Sequence, residues 1–320
     1  MRCHALIALL ILASSASSAL ADTWPSKPIK AVVPFGAGSA TDIIPRIVFE
    51  QLQTQLGQPI VVENRPGAGG TIGAAQVVKA DPDALTWLVH SSAHTVAPAL
   101  YPNLPFNAEN DLVPMAMVGS VPNVLIISPD KGIKTIQDFV AYGKANPGKL
   151  NFASLGVGSA VHMSAERFRA SAGYDAVHIP FKGGSEALAE VMTGRVDYYF
   201  CPIATALPHI QSGKLLALAV SSKTRAAQLP NVPTTLEAGF PDSDYTLWVG
   251  ILGPVGTPKP AIEKLNAEMK KAFDMPVLRE KLEKIGVQPM PMSAEDFGGL
   301  IKTEFKTYGD FVKMTGMKAN

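Results

Sequence analysis

The sequence predicts an α/β protein with largely parallel sheets, divided into two domains. Short runs of β-branched and aromatic residues alternate with longer stretches of helical periodicity, the arrangement that builds strand-helix-strand units. Several of the short runs stop at a turn rich in glycine and serine that opens a helix. The chain has 320 residues and a hydrophobic content of 47%, enough for two cores of ordinary size.

In chain order, Ile29–Pro34 (IKAVVP), Ile60–Glu63 and Leu85–Ser91 are predicted strands, each an apolar run bounded by turn residues, with helices near Asp42–Leu56 and Thr71–Lys79 between them. The alternation resumes with strands near Asn123–Ser128, Leu150–Ala153, Ala176–Pro180, Asp197–Cys201 and Leu216–Ser222, again separated by helical stretches. A later strand, Tyr245–Gly253, precedes three helical stretches near Pro260–Phe273, Val277–Ile285 and Ala294–Val312. No low-complexity linker separates two halves in series, so a two-domain chain must cross between them more than once.

The stretch VVPFGAGSATD, Val32 to Asp42, empties an apolar run into a glycine-rich turn and then a helix start. Such a turn exposes backbone N–H groups at a helix N-terminus, where they and the helix dipole favour an anion. The turn has an echo. IPFKGGS at 179 to 185 aligns without a gap on VPFGAGS at 33 to 39, and Ser154 to Ser159 (SLGVGS) again follows a strand and precedes a helix starting near Ala160. Gly and Ser are ordinary helix-entry residues, but three turns of one pattern suggest helix N-termini from two α/β units facing one ligand at the carboxyl ends of the strands.

Met1 to Ala21 reads as a secretory signal: Arg2 supplies the positive start, Ala5 to Ala13 the apolar region, and Ala19-Leu20-Ala21 the small-residue cleavage site before Asp22. The apolar region is too short for a bilayer anchor, so an exported, soluble mature chain is expected. Removing residues 1–21 takes away Arg2, bringing the formal net charge from +1 to 0, and Cys3, leaving Cys201 as the single cysteine. That excludes an intrachain disulfide and a cysteine metal cluster in the mature chain. Without a charge bias there is no electrostatic case for nucleic acid or an anionic membrane, and the expected partner is a small molecule.

Catalytic constellations are scarce. The chain has no G-x-S-x-G elbow, no H-E-x-x-H and no phosphate-binding G-x-x-x-x-G-K. His90 and His94, and His162 and Glu166, are spaced to share a helix face, but neither pair has a third ligand at a zinc-binding spacing. His178 in a strand and His209 in a helix read as structural. Gly36-Ala37-Gly38-Ser39-Ala40-Thr41 approximates a dinucleotide fingerprint, with Glu63 where a ribose-binding acid would stand; Thr41 in place of the third glycine and the predicted export weigh against it.

Across the mature chain the sequence resembles the Bug-type extracytoplasmic solute receptors of tripartite tricarboxylate transporters. The residues that carry the resemblance are WPSKPIKAVVPF, TDIIPR, LGQPIVVENRPGAGGTIGA, ALYPNLPFN, KGGSEALAEVMTGRVD, ALPHIQSGKLLALAVSS, LPNVPTTLEAGFP and WVGILGPVGTPKP, in that order. The resemblance implies a two-lobed periplasmic binding protein fold of type II, each lobe a mixed, mostly parallel sheet flanked by helices. One lobe would hold 22–121 plus 245–320 and the other 122–244, after a signal peptide at 1–21. It implies a receptor without enzymatic activity or cofactor that closes by a hinge around an organic carboxylate and passes it to integral membrane permease subunits.

Carried over by position, the first ligand loop corresponds to Phe35, Gly38, Ser39, Ala40, Thr41 and Asp42, with Asp42 fixing the turn rather than touching an anion. Ser91 and Ser92 match small polar positions near the cleft, and Ser154, Gly158, Ser159, Lys182 and Gly183 come from the opposite lobe. Cys201 ends the strand after Val196-Asp197, where family members usually have a polar residue, and completes the set. The missing acid there weakens the case for an amino-acid ligand. Phe35, Phe181, Phe200 or Trp248 could add aromatic surface for an aromatic or long-chain carboxylate. Two other readings stay open at this level: an exported binding module that signals to a membrane sensor, and an exported enzyme using Cys201 or a histidine.

Overall fold

The computed structural model describes residues 24–319; the signal sequence expected at 1–21 lies outside them. Among the described residues eight strands form one path, β2 (Ile60–Asn64), β1 (Ile29–Val33), β3 (Thr86–Ser91), β9 (Thr246–Pro254), β4 (Leu112–Ile127), β7 (Tyr198–Pro202), β5 (Leu150–Ser154) and β6 (Ala176–Pro180), while β8 (Leu216–Val220) and β10 (Gln288–Pro289) pair with β4 outside it. Helices α1 (Ala40–Leu56), α2 (Thr71–Val78) and α3 (Ala93–Leu100) belong to the first strands. Helices α4 (Ile136–Ala145), α5 (Ala160–Ala172), α6 (Gly184–Met192) and α7 (Ile203–Gln211) follow β4, β5, β6 and β7, and α8 (Lys259–Asp274), α9 (Pro276–Lys284) and α10 (Ala294–Thr315) follow β9. Among the described residues no helix is long and apolar enough to cross a membrane.

Two parallel blocks, β2-β1-β3 and β6-β5-β7, sit at the ends of the path. Antiparallel pairing of β3 with β9, β9 with β4 and β4 with β7 joins them. Antiparallel pairing therefore has a larger share than strand-helix alternation predicts, because β4 and β9 connect the two halves as well as extending their sheets. Residues Leu112–Pro122 of β4 pair with β9, whereas Asn123–Ile127 pair with β7 and β8. The second crossing is tied to the first: Tyr245 N–H donates to Ser221 O (2.7 Å), and Ser221 N–H donates to Asn123 O (2.8 Å).

The first part of β4 is not visible in the sequence as a strand. Pro114 and Pro122 cannot donate to a ladder and argue against one. The structure accommodates Pro114 at a register shift against β9 and puts Pro122 next to the point where β4 changes partners. Helix α3 was likewise not expected, since Pro98 lies inside it and it spans only eight residues. Trp87, Phe49, Phe152, Phe168, Phe200 and Tyr198 are fully buried between the sheets and their helices, each worth roughly 1.5–3 kcal/mol of transfer free energy.

One polar group lies inside this packing. Glu304 of α10 receives the Trp248 indole N–H (Nε1 to Oε2, 2.8 Å) and stands 3.1 Å from Thr95 Oγ1, which already donates to Ser92 O at 2.7 Å. A hydroxyl has one hydrogen, so the Glu304–Thr95 contact is best made with the carboxyl holding the proton. Burial agrees, pushing the Glu304 carboxyl up from its ordinary 4.5 to about 7.

An acid whose folded pKa is raised contributes stability that is complete below its unfolded value and is lost as pH rises through the folded one. Buried His94 and His162 and half-buried His178, held down to about 4, 3 and 3, act oppositely and cost stability as pH falls below 6.5. Comparing Glu304→Gln with the parent cancels the histidines. In urea unfolding at a series of pH values, the variant should gain about 3 kcal/mol relative to the parent between pH 4.5 and 7; a flat difference would mean that Glu304 is ionised in the folded state.

Candidate ligand-binding site

The two parallel blocks face each other across a cavity at the carboxyl ends of their strands. Phe35, Ser39, Ala40, Thr41, Ser91 and Leu247 line it from one side, and Leu155, Ser159, Ala160, Val161 and Pro202 from the other. The space between them is about 20 Å³, room for the centre of about one water molecule. A larger groove, about 670 Å³, lies behind β4 and β9, but the strand-to-helix turns converge on the small cavity and not on the groove.

Two helices start at this cavity. Ser39 precedes α1 and Ser159 precedes α5, both with extended backbone. The first N–H groups of a helix have no partner within it. Those of Ala40, Thr41, Ala160 and Val161, all lining the cavity, find no acceptor among the described residues. The positive ends of two helix dipoles thus meet in one space, and no charged side chain lines it. Ser39 Oγ and Thr41 Oγ1 bond each other at 3.1 Å; the pair has two hydrogens and one internal bond, which leaves a hydroxyl donor for a ligand. Ser159 differs, because its Oγ donates to Gly156 O (2.7 Å) and accepts from His162 N (3.4 Å).

The turns that echo each other in sequence stack on each other in space. Gly36 N–H donates to Lys182 O at 2.9 Å, joining PFGAGS to PFKGGS across the cavity mouth. A Cβ on Gly36 would lie 2.5 Å from Lys182 O, and one on Gly184 would lie 2.7 Å from Gly38 O, so glycine is what lets these backbones meet. The third turn closes the other side: the Tyr101 hydroxyl donates to Val157 O at 2.9 Å, and the same carbonyl abuts Gly69. With both contacts made, the two halves are closed on one another.

Of the residues singled out in the sequence, Phe35, Ser39, Ala40, Thr41, Ser91 and Ser159 are brought together around the cavity. The others stand behind or beside it. Asp42 is buried, accepting from Gly38 N (3.1 Å), Arg46 Nε (2.9 Å) and Asn64 Nδ2 (3.1 Å), and so fixes the first turn. Gly158 N–H is spent on His162 Nδ1 (3.2 Å). Ser154 Oγ bonds His178 Nε2 (2.5 Å) and accepts from Gly156 N (3.0 Å), bracing the SLGVGS turn from beneath. Ser92 accepts from the Tyr245 hydroxyl (2.8 Å). Lys182 and Gly183 seal the mouth through their backbone, and the Lys182 side chain is exposed.

Cys201 is fully buried with Sγ 2.9 Å from Thr205 Oγ1, and burial pushes its thiol up to about 12, far from nucleophilic use. Its neighbour Pro202 lines the cavity instead, as the alternation of side chains along β7 requires. Among the aromatics, Phe35 reaches the cavity, while Phe200 and Trp248 are buried in the cores. His90 lies on β3 and His94 on α3, both buried, with ring centroids 5.7 Å apart. Among the described residues no group of three or more potential ligands could hold a metal ion. Glu63 is occupied by ion pairs to Lys30 and Arg65. Sequence reasoning missed Leu155, Ala160, Val161, Pro202 and Leu247. The helix-entry logic already points at Ala160 and Val161, whereas Leu247 comes from a strand far along the chain and carries no local signal.

Comparison with known proteins places this arrangement. The family described as "Tripartite tricarboxylate transporter family receptor" (TctC) matches residues 44–317. A protein encoded in the tcbD-tcbE intergenic region of Pseudomonas sp. (strain P51) is 35% identical over 315 residues, 98% of this chain and 94% of that one. BugT of Bordetella pertussis is 35% identical over 308 residues, 96% and 94% of the two chains. Among solved structures, the periplasmic binding protein BugD superposes with a TM-score of 0.88 at 32% identity, covering 92% of this chain and all of that one (100%). MatC from Rhodopseudomonas palustris, solved with bound malate, gives 0.86 at 32%, covering 90% and 100%. A further R. palustris protein, solved with adipate, gives 0.88 at 27%, covering 92% and 98%. The architecture is thus the two-lobed periplasmic binding protein fold, and this chain belongs to the Bug-type TctC family of solute-binding receptors, which are not enzymes.

Proposed function

We propose that the protein is a periplasmic receptor that captures a small organic carboxylate in the cavity between its lobes and delivers it to the membrane subunits of a tripartite tricarboxylate-type transporter. The observation that carries this is the pair of helix N-termini, α1 and α5, aiming the N–H groups of Ala40, Thr41, Ala160 and Val161 into a space lined by no charged side chain. Backbone donors and dipoles suit carboxylate oxygens. The malate and adipate bound by two similar proteins belong to the same class. We place the lobes at 22–121 plus 245–320 and at 122–244, a division supported by the change of partners along β4 after Pro122 and by the entry into β9 at Thr246. The signal sequence at 1–21 would direct export and be removed.

The lining refines the ligand class. Two N-termini on opposite walls favour a dicarboxylate with one carboxylate at each, held by lobes parted more widely than in the closed form, whose space of about 20 Å³ is too small for it, and Phe35, Leu155, Val161 and Leu247 suit an aliphatic spacer between them. An amino acid is disfavoured, because no acid among the lining residues would meet its ammonium group. Closure supplies the remaining contacts, since each lobe alone offers half the donors.

Melting of the mature protein with malate, adipate, citrate, benzoate, aspartate, glucose and putrescine tests the assignment. Dicarboxylates should raise the transition most, as ligands that bind only the folded state do; a shift from glucose or putrescine with none from any carboxylate would sink the reading. Calorimetry of variants with the responding carboxylate tests the geometry. Thr41→Val should weaken binding by about 1.5–3 kcal/mol, the worth of a hydrogen bond to a charged group. Ser159→Ala, whose hydroxyl is spent within its own turn, should weaken binding less than Thr41→Val and instead lower folding stability by about 1 kcal/mol, as the loss of a helix cap does. Gly36→Ala keeps the lobes folded but sets a methyl against Lys182 O, so it should prevent full closure and reduce affinity more than either hydroxyl variant; unchanged affinity would show that the turns need not meet.

A further inference from the structure

Asn123 of β4 is fully buried, yet its side-chain Oδ1 has no hydrogen-bond partner among the described residues. Its Nδ2 donates to Ser164 Oγ at 2.6 Å. Its backbone is spent on Ser221: the N–H donates to Ser221 Oγ (3.2 Å), and the carbonyl accepts from Ser221 N–H (2.8 Å). Turning the amide over changes nothing in the count, because Ser164 offers one oxygen to an amide with two polar atoms, and one of them is left over in either orientation. A buried polar atom left unpaired costs the fold its full desolvation, so a group that reaches it gains more than an ordinary hydrogen bond supplies.

Strand register puts this amide on the floor of the ligand cavity. Opposed residues of an antiparallel pair share a face, and successive residues alternate. Asn123 stands opposite Pro202 of β7, and Val121, on the same face of β4, stands opposite Leu247 of β9. Pro202 and Leu247 both line the cavity, whereas Pro122 and its opposite Thr246 face the groove of about 670 Å³ behind. Ser164 agrees from the other side: it lies one helical turn beyond Ala160 and Val161 on α5, and both of those line the cavity. Leu247 and Pro202 belong to different lobes, so the wider parting that admits a dicarboxylate uncovers the amide between them.

We propose that Asn123 is a specificity-determining residue that receives a hydroxyl carried on the spacer of the ligand, which makes the preferred ligand a hydroxy-dicarboxylate. A hydroxyl both donates and accepts, and so suits the unpaired amide atom in either orientation. A carboxylate cannot donate to Oδ1, and the helix N-termini already engage both carboxylates. An ammonium would donate, but no acid among the lining residues meets its charge.

The inference rests on the reading of the cavity as a dicarboxylate site, and paired ligands tell the two apart. Succinate and malate, glutarate and 2-hydroxyglutarate, and adipate and 2-hydroxyadipate differ within each pair by one hydroxyl. In calorimetry of the mature protein, the hydroxy acid of the pair that binds best should be held at least about tenfold more tightly than its unsubstituted partner. Equal or weaker binding of that hydroxy acid overturns the proposal and leaves the carboxylate reading standing, whereas no binding by any of the acids overturns both. Asn123→Leu, close to the native side chain in shape, and Asn123→Ala remove the amide, and circular dichroism checks that each is folded. In a folded variant the preference should shrink to within about threefold. A residue that merely supports the floor would lower both affinities together and keep their ratio, so a retained ratio overturns the assignment to Asn123. Should neither variant fold, the preference of the parent protein decides.

Discussion

Strand β4 changes partners in the middle of its length, and most of the molecule is arranged by that change. Up to Pro122 it is bonded to β9, and from Asn123 it is bonded to β7 and β8. One rigid strand is thereby shared by two sheets that are otherwise built from separate stretches of chain. Proline at the junction removes a ladder donor where the partner changes, and the bonds among Asn123, Ser221 and Tyr245 hold the return crossing against it. The positions of the ligand cavity in front and the groove behind both follow, because they are the two faces of the β4–β9 pair.

The cavity gets its chemistry from helix ends and not from charged side chains. Placing α1 and α5 with their N-termini toward each other is costly in isolation, since two positive dipole ends converge where water is excluded. An anion relieves that convergence. The surrounding polar groups are spent on holding the turns: Asp42 on Gly38, Ser154 on Gly156, Ser159 on Gly156 and His162. Few side-chain donors are then left over, which matches recognition of a carboxylate by backbone and hydroxyl groups.

Much of the fold is legible in the linear pattern where local chemistry is strong. The strand-turn-helix units at Val32 to Asp42 and at Ser154 to Ala160 can be read directly, because glycine, serine and a following helix have one common solution. The first part of β4 cannot, because Pro114 and Pro122 contradict local strand preference and are accommodated only by a register shift and a change of partner. Cys201 and Pro202 show how fine the limit is: the strand is identified, yet one residue separates the side chain in the core from the one at the cavity.

The sequence by itself determined the class of fold, the glycine-serine turns and the absence of a recognisable catalytic motif, since each depends on neighbours within a few residues. Only the tertiary structure decided which turn faces the ligand and which faces another turn. PFGAGS and PFKGGS are nearly the same string, yet one leads into a helix whose first N–H groups line the cavity, while the other caps the mouth by accepting the Gly36 N–H at Lys182 O. That difference comes from the rotation and register of β4 and β9 between the lobes, a relation among residues more than a hundred positions apart for which no local pattern exists.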